Sequence, residues 1–355
     1  MNKRIERLRT RMKDRDLEAF IISTPENRRY LSGFTGSAGY LLITQSEALL
    51  ATDFRYTEQA GGQSPDYEII KVGRSWEWLA EQLSEHRINR AGFESTNLTV
   101  SSYQHMTETV KKISPNDQIT LLATAGLVEG LRSIKDADEL TKLQMAIDIS
   151  DKAIETVGPN IQPGETEREI AWRLEKVMRE FGADSLSFDT IVAAGSNGAM
   201  PHHRPTDRPV QPGEPIVIDM GAQLEGYCSD ITRTVCVGQP DDKFQQVYDM
   251  VLTAQLTAIE TLKPNMTGDQ GDGLARAVLQ EAGYAEQFGH SLGHGIGLEV
   301  HEYPGVGPGS TNVLEEGMVF SVEPGIYITG WGGVRIEDLV VLQSDGAKPL
   351  SRARK

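Results

Sequence analysis

The sequence contains an internal repeat in its second part, and this repeat restricts the fold more than any other feature. The stretch AIETVGPN, which begins at Ala153, recurs as AIETLKPN from Ala258, at an offset of 105 residues. Each copy precedes an amphipathic segment that ends in a glycine, over residues 166–182 and 267–283. A glycine at that position is typical of a helix C-terminus. The sequence therefore predicts a duplicated unit of two helices and a strand.

The first part of the chain has the pattern of a separate, smaller α/β domain. Residues 3–18 are predicted to form an amphipathic helix, and short apolar runs alternate with helical stretches after it. A polar, glycine-containing segment at residues 127–138 then precedes a long helical pattern. We therefore predict an N-terminal α/β domain over residues 1–126, without a catalytic motif, and an α+β domain over residues 127–355.

Four acidic residues of the second domain lie in two matched strand pairs. Asp219 ends the apolar strand IVID and Asp230 begins the strand DITRTVCV, with the turn-like GAQLEGY between them. A turn centred between Leu224 and Glu225 would place the two aspartates opposite each other, with Cβ atoms roughly 5 Å apart. Two carboxylates at that distance repel each other, and a divalent cation that binds both would remove the repulsion.

The second strand pair repeats this arrangement with glutamates. Glu323 and Glu337 flank the glycine-rich TGWGG, and Gly330 lies midway between them. The same argument predicts that the two glutamates face each other across a hairpin. A bulge at Pro324-Gly325 would shift this register.

Three of the seven histidines lie in the glycine-rich stretch GHSLGHGIGLEVHE, as His290, His294 and His301. Such clustering indicates a site on a loop, and one neutral imidazole beside four carboxylates favours Mn²⁺ or Co²⁺ over a structural zinc. His202 and His203 follow GSNGAMP, which we interpret as a loop at the mouth of the site. The sequence has no HExxH motif, no P-loop and no GxSxG motif, so other catalytic classes are disfavoured.

The composition disfavours several kinds of partner. Lys plus Arg total 35 against 51 Asp plus Glu, and the net charge of -16 repels a polyphosphate backbone, so nucleic acid is not expected. Two cysteines are too few for a disulfide framework, and we interpret both as reduced. No apolar stretch reaches membrane-spanning length and no apolar segment follows the basic N-terminus. We therefore expect a cytoplasmic protein without a membrane partner.

These segments resemble the metal-binding motifs of the pita-bread metallopeptidase family, which includes methionine aminopeptidases, Xaa-Pro aminopeptidases and prolidases. IDMGAQLEGYCSD resembles the family's aspartate hairpin, GHGIGLEVHE its histidine segment, SVEPGIY its first glutamate strand and GVRIED its second. The resemblance is strong over residues 130–355. It extends more loosely to a creatinase-like N-terminal domain through YLSGFTGSAGYLLIT. It implies a pita-bread fold with a pseudo-two-fold repeat.

The resemblance also implies two divalent metal ions, manganese first, with cobalt or zinc as alternatives. The implied ligands are Asp219, Asp230, His294, Glu323 and Glu337. Two nearby cations lower the pKa of a water molecule and stabilise the oxyanion formed from the scissile carbonyl.

Further residues match family positions around the substrate. The implied catalytic residues are His202, His301 and Glu323, the last as proton acceptor, and the implied substrate-binding residues are His290 and Arg335. For Arg335 two roles stay open, since it either holds Glu323 or Asp230 in place or meets the substrate.

The two-domain layout and the histidine motifs are shared with the proline-specific branch of the family. The expected activity is hydrolysis of the bond between an N-terminal residue and a following proline in short peptides, by a homodimer. Xaa-Pro aminopeptidases and Xaa-Pro dipeptidases share the ligands, so the choice between them stays open. The alternatives are a methionine or broad-specificity aminopeptidase on the same fold and a non-catalytic peptide-binding module.

Overall fold

The computed structural model describes residues 3–73, 75–114 and 118–355. The chain divides into two compact units, of which the first ends at Arg132 and the second begins at Ser133. Within the described ranges, no helix combines the length and the apolar character that a membrane crossing requires.

The boundary between the units lies later than the position predicted from the sequence, between residues 126 and 127. The intervening segment is held by the first unit. Arg11 donates a hydrogen bond to the carbonyl oxygen of Leu127, and the buried Arg132 donates to Asn27 Oδ1 at 2.8 Å. These contacts join residues far apart in the chain, so the local composition, which resembles that of a linker, does not indicate them.

The first unit is built on a six-stranded mixed sheet. Its elements are α1 Lys3–Asp14, β1 Ala19–Ile22, α2 Pro25–Ser32, β2 Tyr40–Thr44, β3 Ala48–Thr52, α3 Thr57–Gln63, β4 Glu68–Lys71, α4 Glu77–Glu85, β5 Arg90–Glu94, α5 Val100–Ile113, β6 Thr120–Thr124 and α6 Glu129–Arg132. The strand order is β4-β3-β2-β1-β5-β6. Ile21, Leu42 and Ala91 of the sheet share one apolar cluster with Leu79 of α4 and Met106 of α5. This burial explains the alternation of apolar strands and amphipathic helices in the sequence.

The second unit has four long helices and thirteen strands within the part of the chain that is described. The helices are α7 Ala137–Val157, α8 Glu167–Glu180, α9 Asp242–Thr261 and α10 Gly268–Glu281. The strands are β7 Ser185–Leu186, β8 Ile191–Ala194, β9 Pro215–Met220, β10 Ala222–Leu224, β11 Tyr227–Cys228, β12 Ile231–Cys236, β13 Gly293–Gly295, β14 Glu302–Val306, β15 Val319–Val322, β16 Gly325–Ile328, β17 Gly332–Arg335, β18 Asp338–Gln343 and β19 Gly346–Pro349.

The predicted repeat is confirmed in the second unit, where α7 and α8 correspond to α9 and α10. Helices α8 and α10 both begin with a capping box, in which Thr166 and Thr267 accept a hydrogen bond from the backbone N–H three residues later. Both are followed by a glycine in the left-handed conformation, Gly182 at φ 105° and Gly283 at φ 83°. The capping residues were visible in the sequence because they depend on local spacing alone.

Each half of the second unit also contributes an antiparallel sheet. The first half has the strand order β12-β9-β8, and the second has β14-β13-β15-β18-β19, with β16 and β17 as a separate ribbon. Ile218 of β9 packs in one apolar core with Leu174 of α8, and Phe320 of β15 packs in another with Leu279 of α10. The helices therefore cover the outer face of each sheet and leave the other face available for polar side chains.

Candidate metal centre

Asp219 and Asp230 lie on one hairpin, but not directly opposite each other as predicted. Asp219 pairs with Thr232, whereas Asp230 immediately precedes β12. The predicted turn centre was wrong because Glu225 and Gly226 form the turn, with φ values of 48° and 81°. Two successive positive φ angles are typical of a type I′ turn. The shift is an even number of residues, so both aspartates remain on the same face.

Glu323 and Glu337 follow the predicted register. Val322 pairs with Asp338 in the β15–β18 hairpin, and the same register continues into the β16–β17 ribbon. Pro324-Gly325 therefore adds no bulge, and the two glutamates are opposite residues. The prediction for this hairpin is confirmed.

His294 on β13 lies between the two hairpins. Its Nε2 is 3.3 Å from Glu323 Oε1 and 3.7 Å from Asp230 Oδ2. Its Nδ1 lies 3.1 Å from the carbonyl oxygen of Gly295 and donates to it, which leaves Nε2 as the nitrogen for a ligand bond once a cation has displaced its proton. Asp230, His294 and Glu337 each offer one ligand atom, and these three atoms lie within 4.8 Å of one another.

Two buried carboxylate oxygens of this cluster, Asp219 Oδ1 and Glu337 Oε1, have no hydrogen-bond partner among the described residues. The other oxygen of each carboxylate is bonded, since Arg335 donates to Asp219 Oδ2 and Thr232 Oγ1 donates to Glu337 Oε2 at 2.8 Å. A buried oxygen without a partner is destabilising. A divalent cation would bind both oxygens, and a donor set of carboxylates with one imidazole fits such ions.

The cluster holds more carboxylates than its neighbouring cations balance, and this raises several pKa values. Burial, with the charges of Glu323 and Asp219, raises the pKa of Glu337 to about 8, and burial with Glu337 raises that of Asp230 well above its usual value. Burial acts on Glu323 in the same direction, but its hydrogen bond and ion pair with His294 lower its pKa to about 2. Without a cation the cluster therefore retains protons that a bound cation would displace.

Arg335 connects the two hairpins. This buried residue, 4% exposed, donates hydrogen bonds to Asp219 Oδ2 and to the hydroxyl of Tyr327, the latter at 2.8 Å. Its hydrogen bond to a carboxylate goes to Asp219 because β17, which carries Arg335, packs against β9. The two roles predicted for Arg335, to hold Glu323 or Asp230 in place or to meet the substrate, stay predictions. The guanidinium therefore fixes a carboxylate of the first half from a strand of the second.

The other predicted residues line the same cavity, which has a volume of about 880 Å³ and includes all nine predicted site residues. The ring centroids of His301 and His294 are 4.1 Å apart, and His290 Nε2 lies 3.0 Å from the Tyr327 hydroxyl. Burial lowers the pKa of both His290 and His301. These imidazoles are therefore neutral at neutral pH and can exchange hydrogen bonds or protons with a bound molecule. His202 completes this side of the cavity.

Two residues that support the candidate ligands were not predicted from the sequence. Ser321 Oγ donates to Glu323 Oε1 at 3.0 Å and accepts the backbone N–H of His294 at 3.0 Å. Strand alternation was a usable signal for it, because Ser321 lies two residues before a ligand and on the same face. The same signal applies to Thr232, which lies two residues after Asp230.

A pita-bread unit that encloses a carboxylate-rich cation site defines a class of metal-dependent hydrolases. Comparison with family models gives the particular assignment. Residues 141–344 match metallopeptidase family M24, and residues 4–134 match the creatinase/prolidase N-terminal domain. The chain belongs to metallopeptidase family M24. This confirms the resemblance inferred from the motifs, both for the two-domain fold and for the enzyme class.

Similar proteins match over almost the whole chain. The Xaa-Pro dipeptidase of Pyrococcus furiosus is 37% identical over 360 residues, which cover 100% of this chain and 99% of the relative. A solved structure of an Xaa-Pro dipeptidase from Bacillus anthracis has a TM-score of 0.95 and 43% identity, covering 99% and 98% of the two chains. An X-Pro aminopeptidase structure from Thermotoga maritima MSB8 has a TM-score of 0.88 and 39% identity, covering 96% of each chain.

Proposed function

We propose that this metallopeptidase uses two metal ions to hydrolyse the bond between an N-terminal residue and a following proline. The two unpaired carboxylate oxygens of Asp219 and Glu337 carry the proposal, because they lie in a cavity beside three further ligand side chains. The names of the similar proteins, which include Xaa-Pro dipeptidases and an X-Pro aminopeptidase, support proline as the second residue. We further propose manganese as the native metal, a homodimer and a cytoplasmic location.

Five side chains of the cavity would hold the two ions, namely those of Asp219, Asp230, His294, Glu323 and Glu337. When bound, the ions supply a water molecule of lowered pKa as nucleophile and stabilise negative charge on the scissile carbonyl oxygen. Arg335 donates a hydrogen bond to Asp219 Oδ2, which leaves Oδ1 of that carboxylate as the oxygen for an ion.

The residues around the ligands orient the peptide and move protons. Burial and the neighbouring His294 lower the pKa of His301, so its neutral ring can donate a hydrogen bond to the carbonyl oxygen as charge develops there. His202 lines the same cavity and is the second donor. Glu323 is ionised at neutral pH and is the proposed proton acceptor. A proton must then reach the proline nitrogen, which carries no hydrogen in the peptide. His290 contacts the substrate in this proposal.

The test is a substrate comparison with the chelated protein before and after manganese is restored. We expect Ala-Pro-Ala-Ala or Ala-Pro to be cleaved after the first residue only when metal is present, with Ala-Ala-Ala-Ala as the matched control peptide. Cleavage of the longer proline peptide identifies an Xaa-Pro aminopeptidase, and cleavage of the dipeptide alone identifies an Xaa-Pro dipeptidase. Good turnover of Met-Ala-Ser with no cleavage of either proline peptide would contradict the proposal.

A further inference from the structure

Glu167 is an acidic residue in an unexpected environment. It is the first residue of α8, and acids in the first turn of a helix are usually exposed. Its neighbour Glu169 follows that rule, whereas Glu167 is 0% exposed. The buried side chain faces residues 194–206, a segment that we call the His202 loop. Burying a carboxylate costs free energy unless hydrogen-bond donors satisfy its oxygens.

Glu167 accepts five hydrogen bonds from the His202 loop. Its Oε1 accepts from the Ala194 N–H at 2.8 Å and from the Asn197 amide at 2.9 Å. Its Oε2 accepts from His203 Nε2 at 2.9 Å, and from the N–H and hydroxyl of Thr206 at 3.0 and 2.7 Å. Burial acts to raise the pKa of Glu167, but these donors lower it below the usual value, so the carboxylate is ionised at neutral pH.

The donors lie on both sides of His202 in the chain. One oxygen of Glu167 therefore holds the start of the His202 loop, and the other holds its end. The loop is also fitted closely against β17, because a Cβ atom on Gly198 would meet the backbone nitrogen of Gly333 at 2.9 Å. A loop that is tied at both ends and has little free space fixes where its middle residues project. His202 projects into the catalytic cavity, while Glu167 does not line it.

We propose that Glu167 is a positioning residue that sets the place of His202 in the catalytic cavity. The inference rests on the proposed function in one respect, namely that His202 contacts the substrate. Because a small displacement of a reacting group lowers the rate more than it lowers substrate affinity, Glu167 affects kcat more than KM. Its effect passes through His202 and not through the metal ligands.

A double-mutant cycle on the manganese-loaded enzyme tests this route. Glu167→Gln keeps the shape of the side chain but replaces one acceptor oxygen with an NH₂ group, which cannot accept from the loop. We expect kcat to fall at least about tenfold, the range typical for residues that orient catalytic groups, with KM changed much less. In the His202→Ala background the same substitution should have no further effect on kcat. An equal loss of kcat in both backgrounds would overturn the proposal.

Glu169→Gln is the matched control, since this exposed residue lies on the same helical turn and its side chain, among the described residues, accepts hydrogen bonds only from Thr166. Glutamine also satisfies a capping box, so kcat, melting temperature and metal content should stay unchanged. If Glu167→Gln does not fold, Thr206→Val replaces it in the cycle, because it removes one of the five donors to Glu167, together with the acceptor of the exposed Arg208 N–H. In the folded variants, bound metal should match that of the wild type. Loss of metal in parallel with loss of kcat would contradict the proposed route.

Hydrogen exchange in the metal-free protein gives a readout that does not depend on activity. The backbone amides of Ala194 and Thr206 should exchange about tenfold faster in Glu167→Gln, because each loses a bond to a charged acceptor, and not in Glu169→Gln. Unchanged exchange at both amides would refute the proposal. The kinetic cycle uses whichever peptide the wild type cleaves, so a wrong substrate assignment does not affect it. If no peptide is cleaved, the proposed function fails while the exchange experiment still decides whether Glu167 holds the loop.

Discussion

The two halves of the second unit share a backbone pattern but hold their site loops with different sets of groups. In the first half, Glu167 of α8 accepts hydrogen bonds from the loop that carries His202. In the second half, Arg276 of α10 donates to the carbonyl oxygens of Phe288 at 2.9 Å and His290 at 2.8 Å. The first loop presents hydrogen-bond donors to Glu167, whereas the second presents two C=O groups to Arg276 and the Leu292 N–H to Asp272. A repeated fold therefore repeats the positions of helices and strands without repeating their chemistry.

The hairpins that carry the carboxylates differ in the same way. In the first half the aspartates are offset by two residues, and in the second the glutamates are directly opposite. Glutamate is longer than aspartate by one methylene group. Each half therefore reaches the common centre with a different combination of register and side-chain length.

The largest expected effect tests whether both halves are required. Asp230→Asn removes a proposed ligand from the first half and Glu323→Gln removes one from the second. We expect each to lower kcat on the order of 10³-fold, because a metal supplies several kcal/mol of transition-state stabilisation. Metal analysis should give fewer than two ions per chain, with the fold retained by circular dichroism. Asp249→Asn, at an exposed acid on α9, is the control.

If only one of the two ligand variants lost activity, the halves would not contribute equally to the centre. Full activity in Asp230→Asn would contradict the assignment of this site altogether.

A smaller effect is expected on the pH dependence of metal affinity, because buried groups of the cluster hold protons in the metal-free protein. Below the pKa of about 8, Glu337 holds a proton in the metal-free protein, and so does His294 below a pKa of about 9, which burial lowers but Glu323 raises. Metal binding must displace these protons. Apparent metal affinity should therefore rise about tenfold per pH unit for each proton as the pH increases toward 8, and level off above 9.

Calorimetry in two buffers of different ionisation enthalpy measures the released protons. Glu337→Gln should release about one proton fewer per chain, since the amide does not titrate. Because the folded-state pKa of Glu337 lies above its usual value of 4.5, its contribution to the stability of the chelated protein is present below that pH and is lost as the pH rises through about 8. A melting temperature that increases over this range in the chelated protein would disagree with this sign.

The smallest effect sharpens the contrast between the two loops. Asp272 pairs with Arg276 at 2.6 Å and also accepts the Leu292 N–H at 2.9 Å. Asp272→Asn should release Arg276 from this geometry and loosen the loop that carries His290, so we expect kcat/KM to fall about tenfold. Peptide kinetics and melting curves measure the result.

The double variant Asp272→Asn with Arg276→Met removes the lone charge that the single variant leaves. It should recover part of the melting temperature but none of the lost kcat/KM, because the loop carbonyls still lack their donor. Wild-type kcat/KM in the single variant would show that other contacts hold this loop, and the parallel with Glu167 would then fail.

Much of the site could be predicted because it depends on local patterns. Strand alternation put each acid on a defined face, and this is why an error of two residues in the first hairpin left Asp219 and Asp230 together. The turn itself was misjudged, although Glu225-Gly226 supplies a glycine at a position where a type I′ turn needs one. The repeat and the caps of α8 and α10 also depend on spacing alone.

The supporting contacts could not be predicted in this way. Glu167 and Glu169 both follow Thr166 at the start of one helix, and nothing local distinguishes the buried acid from the exposed one. Glu167 is buried because it accepts hydrogen bonds from the His202 loop, which lies further along the chain. Arg335 is a similar case, since its partner Asp219 lies 116 residues away and on the other half.

The covalent link between the two halves has a consequence for the direction in which a peptide can bind. Two identical half-size chains would carry every substitution twice. A site between them with true two-fold symmetry would present the same surface to a peptide in either orientation. In the joined chain each half varies alone, so one can keep aspartates and a loop held by Glu167 while the other keeps glutamates and a loop held by the Asp272–Arg276 pair. The surface between the two halves is therefore not symmetric. A peptide chain runs from its amino to its carboxyl end, so it fits this surface in one direction.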